Sequence, residues 1–271
     1  MSKKADQPQK EEKPASLIVK KALGGLIAID GFEFQNRYAL ILLVESMKDE
    51  HFRSIVVESA EDVEIDCGGR TAIQLKNHPV DTSEAKEIIA DLIKLDSDSP
   101  GTWAQFVIAC TGLEGKIGTL HSELVRYRQG ETFYDAENGI RVNTLEQIGD
   151  RVAEIWPQKQ GQPSEAWQQE HEARFKFILE RVHFQKNLTM YQEDEWVQAR
   201  AEKLLRELCP QVNDEGVEIL YLRLAYLVRQ SAGTPIQRQT IEDLFQAVLK
   251  DHPKPAAGPS SQLSALHALP S

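Results

Sequence analysis

Between Val56 and His78 the chain reads VVESAEDVEIDCGGRTAIQLKNH, two alternating arms around a Gly-Gly pair. Val63 and Ile65 on the first arm, and Ile73 and Leu75 on the second, recur at the period of a strand with one buried face. Gly68 and Gly69 supply the positive-φ backbone that a tight turn needs. Because a pleated strand has a period of two, the loop length decides which side chains meet. A two-residue loop would set Val63 against Gln74 and mix the faces. A three-residue loop at Gly68–Arg70 keeps apolar against apolar, with Asp62 opposite Lys76 and Glu64 opposite Gln74. The expectation is a hairpin whose second face gathers a carboxylate, an amide and an amine. Such a row is either a solvated sheet surface or a reactive site.

The elements around the hairpin extend it into an α/β unit. The stretch LIVKKALGGLIAIDGFEF reads as an anchoring segment and turn, broken at Gly24-Gly25. From Phe34 the pattern is helical, with Phe34, Tyr38, Ile41, Leu42 and Glu45 on a broad, mostly apolar face. RSIVVES is a strand; SEAKEIIADLIKL is a helix with Ser83 as N-cap. TWAQFVIACTG is apolar almost throughout, as in the middle of a sheet. The order is helix, strand, strand, strand, helix, strand. Past Gly112–Gly118 every strongly periodic segment is helical, with stops at Gly130, Pro157, Pro210 and Gly233. PQKQGQPSEAWQQEHE is a loop or the start of a helix. The expected organisation is a disordered tail (1–16), an α/β domain (17–113), an all-helical domain for oligomer or partner contacts (114–251) and a second disordered tail (252–271).

Bulk properties exclude several classes. No apolar run approaches the roughly 20 residues of a membrane span, and the N-terminus MSKKADQPQKEEKPAS has no apolar signal region. Cys67, Cys110 and Cys209 are far apart and not in zinc-type spacing, so a reducing cytoplasm is the simplest setting. The net charge of −11 argues against general adhesion to nucleic acid. A local DNA site would need a divalent cation, oligomerisation or a partner subunit to offset repulsion from phosphate.

Asp on one strand and Gln-x-Lys on the next, flanked by helices, is the arrangement of the PD-(D/E)xK restriction-endonuclease-like core (αβββαβ). Phosphodiester hydrolysis needs a cation on oxygen ligands, an in-line water and a positive group for the transition state. Asp62 would be the principal metal ligand, Gln74 would offer a carbonyl oxygen, and Lys76 would orient water and stabilise the phosphate. Lys76 stands two residues beyond Gln74, the spacing that puts both on one face.

The wording GFEFQNRYALILLVES, VVESAEDVEI and TAIQLKNH resembles the endonuclease domain of bacterial antiphage effectors. That domain occurs in Cap nucleases of cyclic-oligonucleotide defence and in the nuclease subunit of Lamassu systems, the latter nearer in length. The carrying motifs are Gly31-Phe32-Glu33-Phe34-Gln35, Glu61-Asp62-Val63 and Gln74-Leu75-Lys76. The resemblance implies Mg2+-dependent cleavage of double-stranded DNA, with Mn2+ able to substitute. It also implies a separate sensor such as an SMC-like ATPase complex with an accessory subunit, and activation as a homo-oligomer, a tetramer being favoured. Two departures stand out: no Pro precedes Asp62, and Gln74 replaces an acidic residue, as in Mrr-like restriction nucleases. An amide is the weaker ligand, so a second carboxylate is expected, Glu58 first and Glu64 next. Gln35 either points into the cleft or caps and packs the first helix. Asn77 and His78 are further cleft candidates, for phosphate contact and general base respectively. Two other readings use the same residues: a degenerate nuclease-fold adaptor and an RNA-cleaving effector.

Overall fold

A computed structural model describes the backbone of residues 15–58, 62–130, 133–135, 140–142 and 144–255, with side chains for residues 30–58, 62–130 and 145–255. Helix α1 (Ala15–Ser46) leads into an antiparallel meander of β1 (Phe52–Val57), β2 (Val63–Cys67) and β3 (Arg70–Val80). Helix α2 (Thr82–Asp98) crosses over to β4 (Trp103–Leu113), parallel to β3. The element order is the expected one. Its beginning is not, because α1 runs unbroken through Gly24 and Gly25 where a turn was expected. Two glycines cost such a helix about 2 kcal/mol of propensity. Its deeply buried C-terminal half, from Phe34 to Val44, offsets that.

The remaining elements are α3 (Gly115–Arg128), the small hairpin β5 (Phe133–Asp135) and β6 (Ile140–Val142), α4 (Thr144–Ile155), α5 (Ser164–Arg181), β7 (Val182–Gln185), α6 (Asp194–Leu208), α7 (Asp214–Gln230), β8 (Ile236–Gln237) and α8 (Arg238–Asp251). The second half is therefore not all-helical. Strand β7 adds parallel to β4 and β8 adds antiparallel to β1, giving a six-stranded sheet ordered β7-β4-β3-β2-β1-β8. Helical periodicity through FKFILERVHF hid β7. The helix stops at Arg181 because the Arg128 guanidinium donates to the carbonyls of Ile178, Leu179 and Val182 at 3.4, 3.1 and 2.7 Å. Those are helix-end carbonyls that would otherwise lack donors, and the donor comes from 50 or more positions away.

Each face of the sheet carries its own core. Helices α1, α6, α7 and α8 cover Ile55, Val57, Val63, Ile65, Ile73 and Leu75. Helices α2 to α5 cover Ala72, Phe106, Ile108 and Val182 on the other side. Both halves of the sequence contribute to both layers, and Tyr38 on α1 donates its hydroxyl to Gln185 Oε1 on β7 at 2.7 Å. On the second face the apolar packing is confined to β3, β4 and β7, which leaves the polar side of β1 and β2 outside that core. Of the two expected tails, residues 1–14 and 256–271 lie outside the described residues. Ala15 and Ser16 already belong to α1, and Pro253 bridges to Val212.

Candidate functional site

Strands β2 and β3 pair Val63 with Ile73, Glu64 with Ala72, Ile65 with Thr71 and Asp66 with Arg70. The faces are those expected; the register is two residues shorter. Asp62 consequently meets Gln74 rather than Lys76, and Glu64 lies across from Ala72 rather than Gln74. The turn explains the difference. Gly68 adopts φ 80°, and the Asp66 carboxylate accepts its N–H at 3.1 Å, closing the loop one residue earlier than expected. Arg70 is thereby drawn into β3, where it pairs with the buried Glu64 and lies 4.7 Å over the Trp103 ring.

Asp62 sits immediately before β2 and is half-buried. Its Oδ1 accepts from Gln35 Nε2 at 2.6 Å. Its Oδ2 accepts from Gln74 Nε2 and from the Leu75 backbone N–H, each at 2.6 Å. Burial pushes the Asp62 carboxyl above the usual carboxylate range, the Leu75 N–H and the Lys76 charge oppose the rise, and nearby Glu58 adds to it. The hydrogen-bond partners of this carboxylate are thus neutral amides. Gln35 is not a helix cap: it lies well inside α1, between buried Phe34 and Asn36, and donates to Asp62.

Lys76 follows Gln74 on the same face of β3, and its Nζ lies 3.5 Å from Glu84 Oε1 in the first turn of α2. His78 Nε2 stands 3.0 Å from Glu84 Oε2, and its Nδ1 is 3.2 Å from Asn77 Oδ1. Glu84 escaped the sequence reading, although a signal existed. Only Asp81 separates β3 from α2, so a first-turn carboxylate must fall beside the last residues of the strand. Asp81, not Ser83, is the N-cap, accepting from the N–H groups of Ser83 and Glu84 at 2.8 and 2.9 Å. The Asn77 carbonyl accepts from Gln192 Nε2 at 2.8 Å. Asn77 also lines a cavity of about 350 Å³ with Asp30, Glu33, Phe34, Arg37 and Gln192. Arg37 is tied there to Glu33 and Asp194, at 3.0 and 2.7 Å, and is not free for phosphate.

Glu58, the residue after β1, has a left-handed backbone (φ 57°), and its N–H donates to the Asp62 carbonyl at 2.8 Å. The Gly233 N–H, bonded to the Val57 carbonyl at 2.7 Å, braces this bend from the far end of the sequence. The fold therefore assembles Gln35, Asp62 and Gln74, sets Glu58 and Lys76 beside them, and diverts Glu64 to Arg70. Glu61 lies outside the described residues.

The donor set suits a hard divalent cation. Among the described residues no group of three or more His, Cys, Asp or Glu gathers to hold a metal, so carboxylates alone do not complete a site. The amides of Gln35 and Gln74 could add oxygen donors, because a half-turn of each replaces its nitrogen with its oxygen. A desolvated carboxylate held by amides, with a second carboxylate nearby, is stabilised by an oxygen-seeking ion such as Mg2+.

An acid, two amides and an amine thus gather around β2 and β3. The comparisons with known proteins narrow the class. Residues 23–117 match the family model described as Cap4, dsDNA endonuclease domain. The chain is 28% identical over 134 residues to CD-NTase-associated protein 4 of Acinetobacter sp. (strain ATCC 27244 / 9458), a match covering 48% of this chain and 29% of that protein. The Acinetobacter baumannii Cap4 SAVED/CARF-domain containing receptor with the cyclic trinucleotide 3'3'3'-cAAA has the same fold over 82% of this chain and 45% of its own, at 19% identity and a TM-score of 0.63. The Moraxella osloensis Cap4 receptor superposes with a TM-score of 0.57 over 82% of this chain and 48% of its own, also at 19% identity. The chain thus spans less than half the length of these relatives. Among the described residues no helix is long and apolar enough to cross a membrane.

Proposed function

We propose that this chain is a DNA endonuclease effector of bacterial antiphage and anti-plasmid defence, hydrolysing phosphodiester bonds of double-stranded DNA with Mg2+, for which Mn2+ can substitute. The observation that carries the reading is the Asp62–Gln74–Lys76 row on one sheet face, inside the segment that matches a dsDNA endonuclease domain. In this reading the core is a PD-(D/E)xK fold of the Mrr-like glutamine variant. Asp62 and Gln74 would hold the ion, with Glu58 as the second carboxylate and Gln35 as an amide partner. When bound, the ion polarises the phosphate and makes a coordinated water more acidic. Lys76 neutralises charge that develops on the phosphate oxygens. Glu84 holds its amine in place until substrate competes for it. With the ion bound, the Gln35 and Gln74 amides would turn their oxygens toward it.

The net charge of −11 opposes DNA binding by a lone chain, which supports activation by assembly. A symmetric homo-oligomer, a tetramer in the favoured form, would pair active sites and cut both strands. The relatives are receptors solved with and without a cyclic trinucleotide. That favours a cyclic-oligonucleotide trigger over the SMC-like ATPase complex expected from sequence, in the same cytoplasmic setting.

Incubation with Mg2+ or Mn2+ and linear DNA, plasmid or RNA tests the proposal, at protein concentrations high enough for self-association and with cyclic trinucleotide added. Double-stranded DNA should be degraded, and Lys76→Ala should lower the rate by roughly 10²–10³-fold, the usual loss for a transition-state charge partner. Cleavage confined to RNA would instead mark an RNA effector. Absence of cleavage in every assembly state would mark an adaptor.

A further inference from the structure

A second pocket, of about 290 Å³, opens between α2, the end of α4 and the first half of α5. Trp156, Trp167, Lys86, Lys159, Arg174 and Glu170 are its chemically distinctive walls. Three cations against one carboxylate is a local excess of positive charge in a chain whose net charge is −11. Among the described residues neither the Lys86 nor the Lys159 ammonium is paired. Arg174 lies 5.2 Å over the Trp156 ring, and its contact with Glu170 is a long 4.0 Å. The Trp167 indole N–H donates to the Trp156 carbonyl at 3.2 Å, and one face of its ring stacks on His171 at 5.1 Å and 10°. Both indoles are therefore held in fixed orientations while remaining half-buried.

Fixed aromatic planes beside two unpaired ammonium groups are complementary to a ligand with both a π face and an anionic group. The volume lies just below the roughly 300–1,000 Å³ typical of ligand pockets, which suits one base with its sugar phosphate rather than a larger ligand. We propose that this pocket binds a single nucleotide unit, the base against Trp156 or Trp167 and the phosphate on Lys86 and Lys159. Lys86 stands two residues after Glu84 on the same helix, so the pocket and the Lys76 site share α2 as a common wall. A free nucleotide and a nucleotide within an unpaired strand present the same chemistry.

Binding is measured in chelator, without divalent cation, so that the outcome does not depend on the nuclease reading. The probes are AMP, a labelled eight-nucleotide single strand, the same strand with abasic sites, and inorganic phosphate. Tryptophan fluorescence and probe anisotropy are recorded for the wild-type chain and for a Lys86→Glu, Lys159→Glu double variant, whose exposed or half-exposed substitutions leave the core intact. Quenching by the base-bearing strand is expected, with binding at least about tenfold weaker for the abasic strand, the lower range of one stacked base. The double variant should lose binding by a similar factor and show a shallower salt dependence. Quenching by AMP as strong as by the strand assigns the pocket to free nucleotides, and quenching by the strand alone assigns it to the polymer. Equal affinity for the abasic strand, or unchanged binding by the double variant, would overturn the proposal.

Discussion

A Leu224→Ala chain should unfold as one unit at a temperature lower by about 10 °C. Leu224 is fully buried on α7, in the core that joins α6 to α8 with α1 and the inner face of β1 to β3. The substitution deletes three carbons, a transfer loss of about 2.4 kcal/mol at roughly 0.8 kcal/mol each. The cavity adds to this, for a total near 3–4 kcal/mol. At about 2–4 °C per kcal/mol for a chain of this size, the shift follows. The informative readout is hydrogen exchange at the β3 amides, more than 140 positions away in sequence. If both halves share one core, exchange at Ile73 and Leu75 should quicken with that of α7, and circular dichroism and tryptophan fluorescence should report one transition. Unchanged protection in β3 beside a loosened α7 would refute the argument and restore two independent domains.

Asp62→Asn should stabilise the fold at neutral pH. The native state raises this carboxyl above its unfolded value, so its contribution is full at low pH and lost as pH rises through the raised value. Melting curves of the variant and wild type should accordingly converge on acidification, while the variant loses cleavage. Glu58→Gly relieves a left-handed backbone and a charge facing Asp62, and should add up to about 1 kcal/mol of stability; cleavage should fall if Glu58 helps to hold the ion. Gly216→Ala should destabilise by about 1–3 kcal/mol despite alanine's helix propensity. The new Cβ would press on Val212 Cγ1 and lie 2.7 Å from His252 Cβ; chemical denaturation measures the cost.

The hairpin shows how far a sequence carries. Which residues of β2 and β3 share a face was legible because strand periodicity admits only two answers. The register was not, because it turns on one Asp66 side chain accepting the Gly68 N–H. That small closure decides that Gln74 rather than Lys76 meets Asp62, and it frees Arg70 to occupy Glu64. Strand β7 was illegible for a different reason: its helix is ended by Arg128, a contact between residues far apart in the chain. Glu84 lay within reach of sequence reasoning, since the strand passes into α2 with one residue between, but helix-start carboxylates are ordinarily assigned to the macrodipole. Gln35 was named with its role open, and the structure adds its bond to Asp62.

The brace that Gly233 places on Val57, with β8 beside β1, bears on the order in which a ribosome delivers this chain. Residues 35–84 carry every candidate site residue, yet the outer edge of β1 and the bend at Glu58 wait for a segment translated some 150 codons later. The bend beside Asp62 is therefore braced only after α7 and β8 have been made.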